Sequence, residues 1–134
     1  MSGFLLDSDI VIHLRDGTGG VGARLPTLAT TPRLSLITRI ELEGGVVSVP
    51  ALAGQRRAAL DRLLATLPIL PIDEAVVDGY AKIVAALGYS RRQVFDRLIA
   101  ATAIANRATL VTMNAGDFRA IPGLELEVWP SPAQ

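Results

Sequence analysis

Four acidic side chains stand in this sequence where oxygen chemistry could be assembled: Asp7, Glu41, Asp96 and Asp117. Asp7 closes the short apolar run Phe4 to Leu6, and Asp117 lies a few residues past the β-branched run Thr109 to Met113. Asp96 is the most informative of the four. On a helix its neighbours at i+3, i+4 and i+7 are Ile99, Ala100 and Ala103, which puts its carboxylate on an apolar face. No lysine or arginine precedes it at a spacing that pairs inward. A carboxylate so placed must be paired, protonated or bound to a cation, and several such oxygens meeting at one point suit a hard ion, Mg²⁺ or Mn²⁺.

Each acid also has a local role open to it. Asp7 can cap the element that follows, Thr38 and Glu41 spell a capping box, Asp96 can complement a helix dipole, and Asp117 can serve a turn. Other chemistries are narrower. The chain has no cysteine, which removes disulfides, thiolate zinc sites and cysteine nucleophiles. The single imidazole, His13, sits on an element of uncertain phase and reads as structural or surface. Lys plus Arg and Asp plus Glu each number 13, so a nucleic-acid partner would be held by a local patch and not by a global field. Trp129, Tyr80 and Tyr89 are too scattered for a base-stacking platform.

The elements that must position these acids alternate between strand and helix. Phe4 to Leu6 reads as a strand, while Asp9 to Arg15 fits either a short helix or a continuing strand. Gly17 to Gly22, Pro26 and Pro32 mark an irregular connection. Arg33 to Ile37 is a strand, and Thr38 to Glu41 opens a helix expected to stop near Gly44 and Gly45. An amphipathic helix from about Ala51 to Thr66 ends before Pro68. Ile69 to Ile72 is strand-like; Asp73 and Glu74 start a helix that Gly88 stops. The helix from Gln93 to about Asn106 is expected to be buried all round between Leu98 and Ala105. Thr109 to Met113 is a strand, and Leu124, Leu126 and Val128 alternate with acids as in a half-exposed edge strand. This is the pattern of one α/β domain over 1–134 with a mainly parallel sheet, whose sites lie beyond the carboxyl ends of the strands. The opening residues lack the basic start of a targeting segment, and no apolar run approaches the roughly 18 residues of a membrane span. A soluble, cytoplasmic protein is expected.

Four stretches taken in order, Leu5-Leu6-Asp7-Ser8-Asp9, Ser35 to Leu42, Asp96 to Ala103 and Thr109 to Phe118, resemble the VapC toxins among PIN-domain proteins. The similarity spans nearly the whole chain and implies a PIN-like three-layer fold. It further implies an endoribonuclease, the toxin of a toxin–antitoxin pair, with Asp7, Glu41, Asp96 and Asp117 as catalytic, metal-binding acids and Asn114 as a polar helper. Mg²⁺, or Mn²⁺, would activate water for in-line attack on a phosphodiester. The implied partners are RNA, a small antitoxin that covers the acidic groove, and a second copy in a homodimer. Two features depart from the family pattern. The glycine-rich stretch is not a hallmark of it, and Arg91, Arg92 and Gln93 stand where some relatives carry a further acid, which weakens the case for a second metal. Arg91, Arg92 and Arg97 are expected to point outward, where they could hold phosphates.

Two other readings compete. Gly17-Thr18-Gly19-Gly20-Val21-Gly22 fits the dinucleotide fingerprint G-x-G-x-x-G after the strand-like Ile10 to Leu14, although Pro26 and Pro32 break the helix it should open. A PIN-like fold could also serve only as a binding module, its acids acting as caps.

Overall fold

Strand β1, Phe4–Leu6, is buried on both faces, and its sequence is therefore a continuous apolar run. The computed structural model describes residues 3–132; Met1, Ser2, Ala133 and Gln134 of the expected span 1–134 lie outside the described residues. β1 is joined by β2 (Arg33–Ser35), β3 (Ile69–Leu70), β4 (Thr109–Thr112) and β5 (Leu126–Val128). All pairings are parallel, in the order β3-β2-β1-β4-β5. Leu5 is level with Arg33 on one side and with Leu110 on the other.

The chain steps outward from β1 to β2 to β3, then crosses back to lay β4 against the free side of β1. A parallel sheet that reverses direction in this way opens a crevice beyond the carboxyl ends of the two strands at the reversal, here β1 and β4.

Side-chain alternation splits the core into two layers around the sheet. Phe4, Leu6, Leu34 and Val111 pack on one face with residues of α1 (Ser8–Asp16), α3 (Leu36–Ser48) and α4 (Ala53–Thr66). Leu5 and Leu110 pack on the other with α5 (Glu74–Leu87) and α6 (Val94–Ala105). The three-layer α/β architecture is thus as expected. α6 is fully buried from Ile99 to Ala103, while Leu98 and Ile104 are half-buried and Ala105 is exposed, so its burial is less complete than its composition suggests. β5 is an edge strand, but its in–out alternation is lost: Leu126 and Glu127 are half-buried and Val128 is exposed.

The ambiguous segment after Asp7 is the helix α1, ended by Gly17 in the left-handed region. That removes the strand a dinucleotide fingerprint requires before its glycines, and the glycine stretch leads only into the four-residue helix α2 (Val21–Arg24).

α3 differs from expectation at both ends. It begins at Leu36, because Ser35 and not Thr38 caps it, the Ser35 hydroxyl accepting from the Ile37 amide at 3.0 Å. It also runs through Gly44 and Gly45 to Ser48, carried by the buried Leu42 and Val46 on one stripe. Gly45 serves close approach: a Cβ there would meet the Arg15 guanidinium, and its carbonyl accepts from Arg56 Nη1 at 2.7 Å. Gly44 faces open space. Gly44→Ala should therefore stabilise the protein by about 0.5–1 kcal/mol in chemical denaturation, whereas Gly45→Ala should gain less or lose stability. Equal gains at both positions would contradict this account of Gly45.

Candidate active site

Asp7 leaves β1 at the crevice. It caps α1, Oδ1 accepting from the Ser8 amide at 2.8 Å, so the local role read from the sequence is real. Its second oxygen, Oδ2, accepts from the Thr112 hydroxyl of β4 at 2.7 Å. The same hydroxyl accepts from the Asn114 amide at 2.9 Å, which ties the loop after β4 to the end of β1. In the first turn of α1, Asp9 accepts from the Met113 amide at 3.1 Å and from the Ile10 amide at 2.7 Å.

Glu41 reaches the same place from α3. Ser8 Oγ donates to Glu41 Oε1 at 2.7 Å and, with its proton so used, accepts from Thr38 Oγ1 at 2.9 Å. Thr38 and Glu41 are therefore one turn of α3 facing α1, and not a capping box. Asp96 enters from the first turn of α6 and is half-buried. Asp117 lies in the 3₁₀ turn after β4, where Asn114 Nδ2 donates to its Oδ2. Asp7 is buried at the base, Asp9 and Asp96 are half-buried, and Glu41, Asn114 and Asp117 are exposed at the mouth.

The electrostatics carry the signature of uncompensated like charge. Burial, then the neighbouring Asp9 and more distantly Asp96, push the Asp7 carboxyl up to about 7 against the hydrogen bonds from Thr112 and Ser8. Burial raises Asp9 as well, opposed by amide donors. Asp96 is raised to about 6 by burial and by the charges of Asp117, Glu41 and Asp9. Among the described residues the ion pairs go to Asp16, Glu43 and Asp61, and none reaches these five acids.

The structure thus brings Asp7, Glu41, Asp96, Asp117 and Asn114 to one end of the sheet. Sequence reasoning left out Asp9, Ser8, Thr38 and Thr112. Asp9 was marked by its place in Asp7-Ser8-Asp9; the hydroxyls bond across tens of residues of sequence and carried no local signal. Arg97 corrects another expectation: it is buried and donates to the Gly88 carbonyl at 2.6 Å, whereas Arg91 and Arg92 are exposed. Trp129 is buried, its Nε1 donating to Glu127.

Among the described residues no three acidic or histidine side chains form a ready ligand cage. With only like charges present, Asp7 and Asp9 turn to local donors. The donor set nonetheless fits a hard divalent cation: all oxygen, close enough to perturb one another, and lacking a cationic side chain. Thr112 holds this arrangement together. Thr112→Val, of similar shape, should leave an Asp7 oxygen and the Asn114 amide without their partner and cost about 1–3 kcal/mol in denaturant unfolding, with Thr112→Ser recovering most of it. A valine variant as stable as wild type would refute that role.

Residues 4–124 match the sequence profile of the family described as PIN domain. Among solved structures, a chain of VapBC2 from Rickettsia felis bound to a DNA fragment from their promoter is 29% identical with a TM-score of 0.84, over 94% of this chain and 98% of that one. A chain of DNA-bound VapBC from Salmonella typhimurium is 25% identical with a TM-score of 0.81, over 96% and 99%. A chain of FitAcB from Neisseria gonorrhoeae is 29% identical with a TM-score of 0.74, over 92% and 95%. No curated protein matches the sequence significantly.

Proposed function

The chain belongs to the PIN-domain family, and on that premise we propose that it is the nuclease toxin of a VapBC-type toxin–antitoxin pair. Its proposed reaction is Mg²⁺- or Mn²⁺-dependent hydrolysis of phosphodiester bonds in structured RNA. The observation that carries this reading is the convergence of Asp7, Asp9, Glu41, Asp96 and Asp117 on one crevice with burial and mutual repulsion raising Asp7 and Asp96.

Asp7, Glu41, Asp96 and Asp117 would hold the cation, which when bound supplies a Lewis acid and an activated water for in-line attack. The chain's own residues set the stage for it. Thr112 fixes Asp7, Ser8 fixes Glu41, and Asn114 fixes Asp117 at the mouth, where its amide can orient a phosphate oxygen. The exposed Arg91 and Arg92, just ahead of Asp96, suit the flanking phosphates of a polyanion. Without the cation the crevice repels RNA; with it, charge is offset at the scissile phosphate.

An antitoxin and a second copy are the proposed protein partners. The solved relatives in VapBC complexes support the first. Exposed Ile40, Val47, Val49 and Leu52 along α3 and the turn after it supply apolar surface next to Glu41. No helix of the described residues is long and apolar enough to cross a membrane, and we place the protein in the cytoplasm as one domain over 1–134.

Cleavage of a structured RNA by purified, antitoxin-free protein tests the activity. Products with Mg²⁺ or Mn²⁺ that disappear with EDTA and with Asp96→Asn are expected. A folded protein that cuts no RNA with either metal would be a PIN-like binding module instead.

A further inference from the structure

The glycine-rich segment plays no part in the nuclease reading, and its backbone shows what it builds. Gly17, Gly19 and Gly20 have φ of 68°, 71° and 66°, values that side-chain-bearing residues rarely adopt. These turns fold the chain back after α1. Thr18 comes to lie with its hydroxyl 2.6 Å from His13 Nδ1. Gly19 comes to lie against the Pro132 ring, where a Cβ would collide. The result is a cavity of about 810 Å³ walled by His13, Thr18 and Gly19, by Met113 and Asn114, and by Pro132. Asp9 also lines it. His13 stands four residues beyond Asp9 on the same face of α1, and Asn114 belongs equally to the acid site, so the cavity opens directly from that centre.

Its chemistry selects its occupant. The volume lies within the roughly 300–1,000 Å³ of ligand pockets. Among its lining residues no lysine or arginine is present, and one carboxylate is. A phosphate would be repelled there, but the uncharged part of a nucleotide would not. Met113 and Pro132 offer apolar surface to the faces of a base, while His13, Thr18 and Asn114 offer polar edges to a base or a ribose hydroxyl.

The geometry points to a nucleoside subsite beside the scissile phosphate, in which His13 and the glycine loop seat one base of the RNA and set which bond is cut. This inference rests on the nuclease reading for the identity of the ligand. His13 is here a positioning residue, and the glycines are the means by which Thr18 and the wall at Pro132 reach it.

His13 is the only histidine of the chain, so its ring signals are unambiguous in tag-free protein. Uridine, cytidine, adenosine and guanosine, which carry no phosphate, are titrated into the protein in EDTA and followed by NMR. Saturable shifts of the His13 ring are expected, with at least about a tenfold preference between the tightest and weakest nucleoside. Gly19→Ala should abolish them. Gly20→Ala should not, since it carries the same backbone cost but meets no neighbour. In a second arm a random-sequence oligoribonucleotide is cut in Mg²⁺ and the product ends are sequenced. A base bias next to the cut should shrink about tenfold in His13→Ala. No saturable shift with any nucleoside in the folded protein, or an unchanged bias in His13→Ala, would overturn the subsite. Nucleoside binding without RNA cleavage would instead overturn the nuclease reading and leave the subsite standing.

Discussion

Asp7→Asn is expected to lower RNA cleavage by orders of magnitude and, in the same molecule, to raise the stability of the metal-free protein. The two effects have one cause. Above neutral pH the wild-type chain must bury an ionised carboxylate beside Asp9, with its pKa pushed up to about 7 by burial and by that neighbour. The isosteric amide removes the charge and keeps the local bonds. Its oxygen can still accept from the Ser8 amide, its nitrogen can donate to Thr112 Oγ1, and the freed Thr112 proton can turn to Asp9 Oδ2, now 3.5 Å away. By linkage the gain should be on the order of 2–4 kcal/mol at pH 8 in EDTA, read as a rise of several degrees in melting temperature. The loss of a cation-binding oxygen should lower cleavage by about two to four orders of magnitude. A variant that is inactive and less stable would point to a structural role for the Asp7 charge and count against the site as drawn.

The metal-free protein should also become less stable as pH rises through the weakly acidic range, the reverse of most proteins. Asp7 and Asp96 have folded-state values of about 7 and about 6, both above the ordinary 3.8. Between that ordinary value and those raised ones the folded chain holds more protons than the unfolded chain, so unfolding free energy falls with rising pH. The contribution is full below the unfolded value and is lost as pH passes about 7. Asp16 and Glu43 act oppositely, being lowered chiefly by hydrogen bonds from Arg15 and Arg57, but their stability is lost only at pH below the ordinary carboxylate range. The windows are thus separate. Melting in EDTA should give a higher midpoint at pH 5 than at pH 8, and Asp7→Asn should flatten the difference. Saturating Mg²⁺ should flatten it too, because a cation favours the ionised acids. A midpoint that rises from pH 5 to pH 8 in EDTA would mean the acids do not crowd one another.

Much of this was legible in the chain because its signals were local. Asp73 and Gly88 bracket α5 by cap chemistry, accepting from the Val76 amide at one end and adopting a positive φ at the other. The apolar neighbours of Asp96 showed that its carboxylate would face the interior. What was not legible depended on distance or on phase. Whether Thr38 or Ser35 starts α3 turns on which side chain finds an amide, and both lie in a run that suits a strand or a helix. Gly44 and Gly45 look like a stop, yet the partner that requires a glycine, Arg15, comes from another helix. Arg97 reads as a surface base until α6 is seen to turn it toward the Gly88 carbonyl. The hydroxyls of Ser8, Thr38 and Thr112 are common residues in common places, and only the meeting of β1, β4 and α3 gives them their partners.

Titration of Mn²⁺ into the metal-free, folded protein by calorimetry is the most direct test of the claim that these acids form a cation site. Saturable binding at a defined stoichiometry is expected, weakened by at least about tenfold in Asp96→Asn and weakened as pH falls below about 6, where the raised acids hold their protons. No saturable binding, or binding that Asp96→Asn leaves unchanged, would contradict the account.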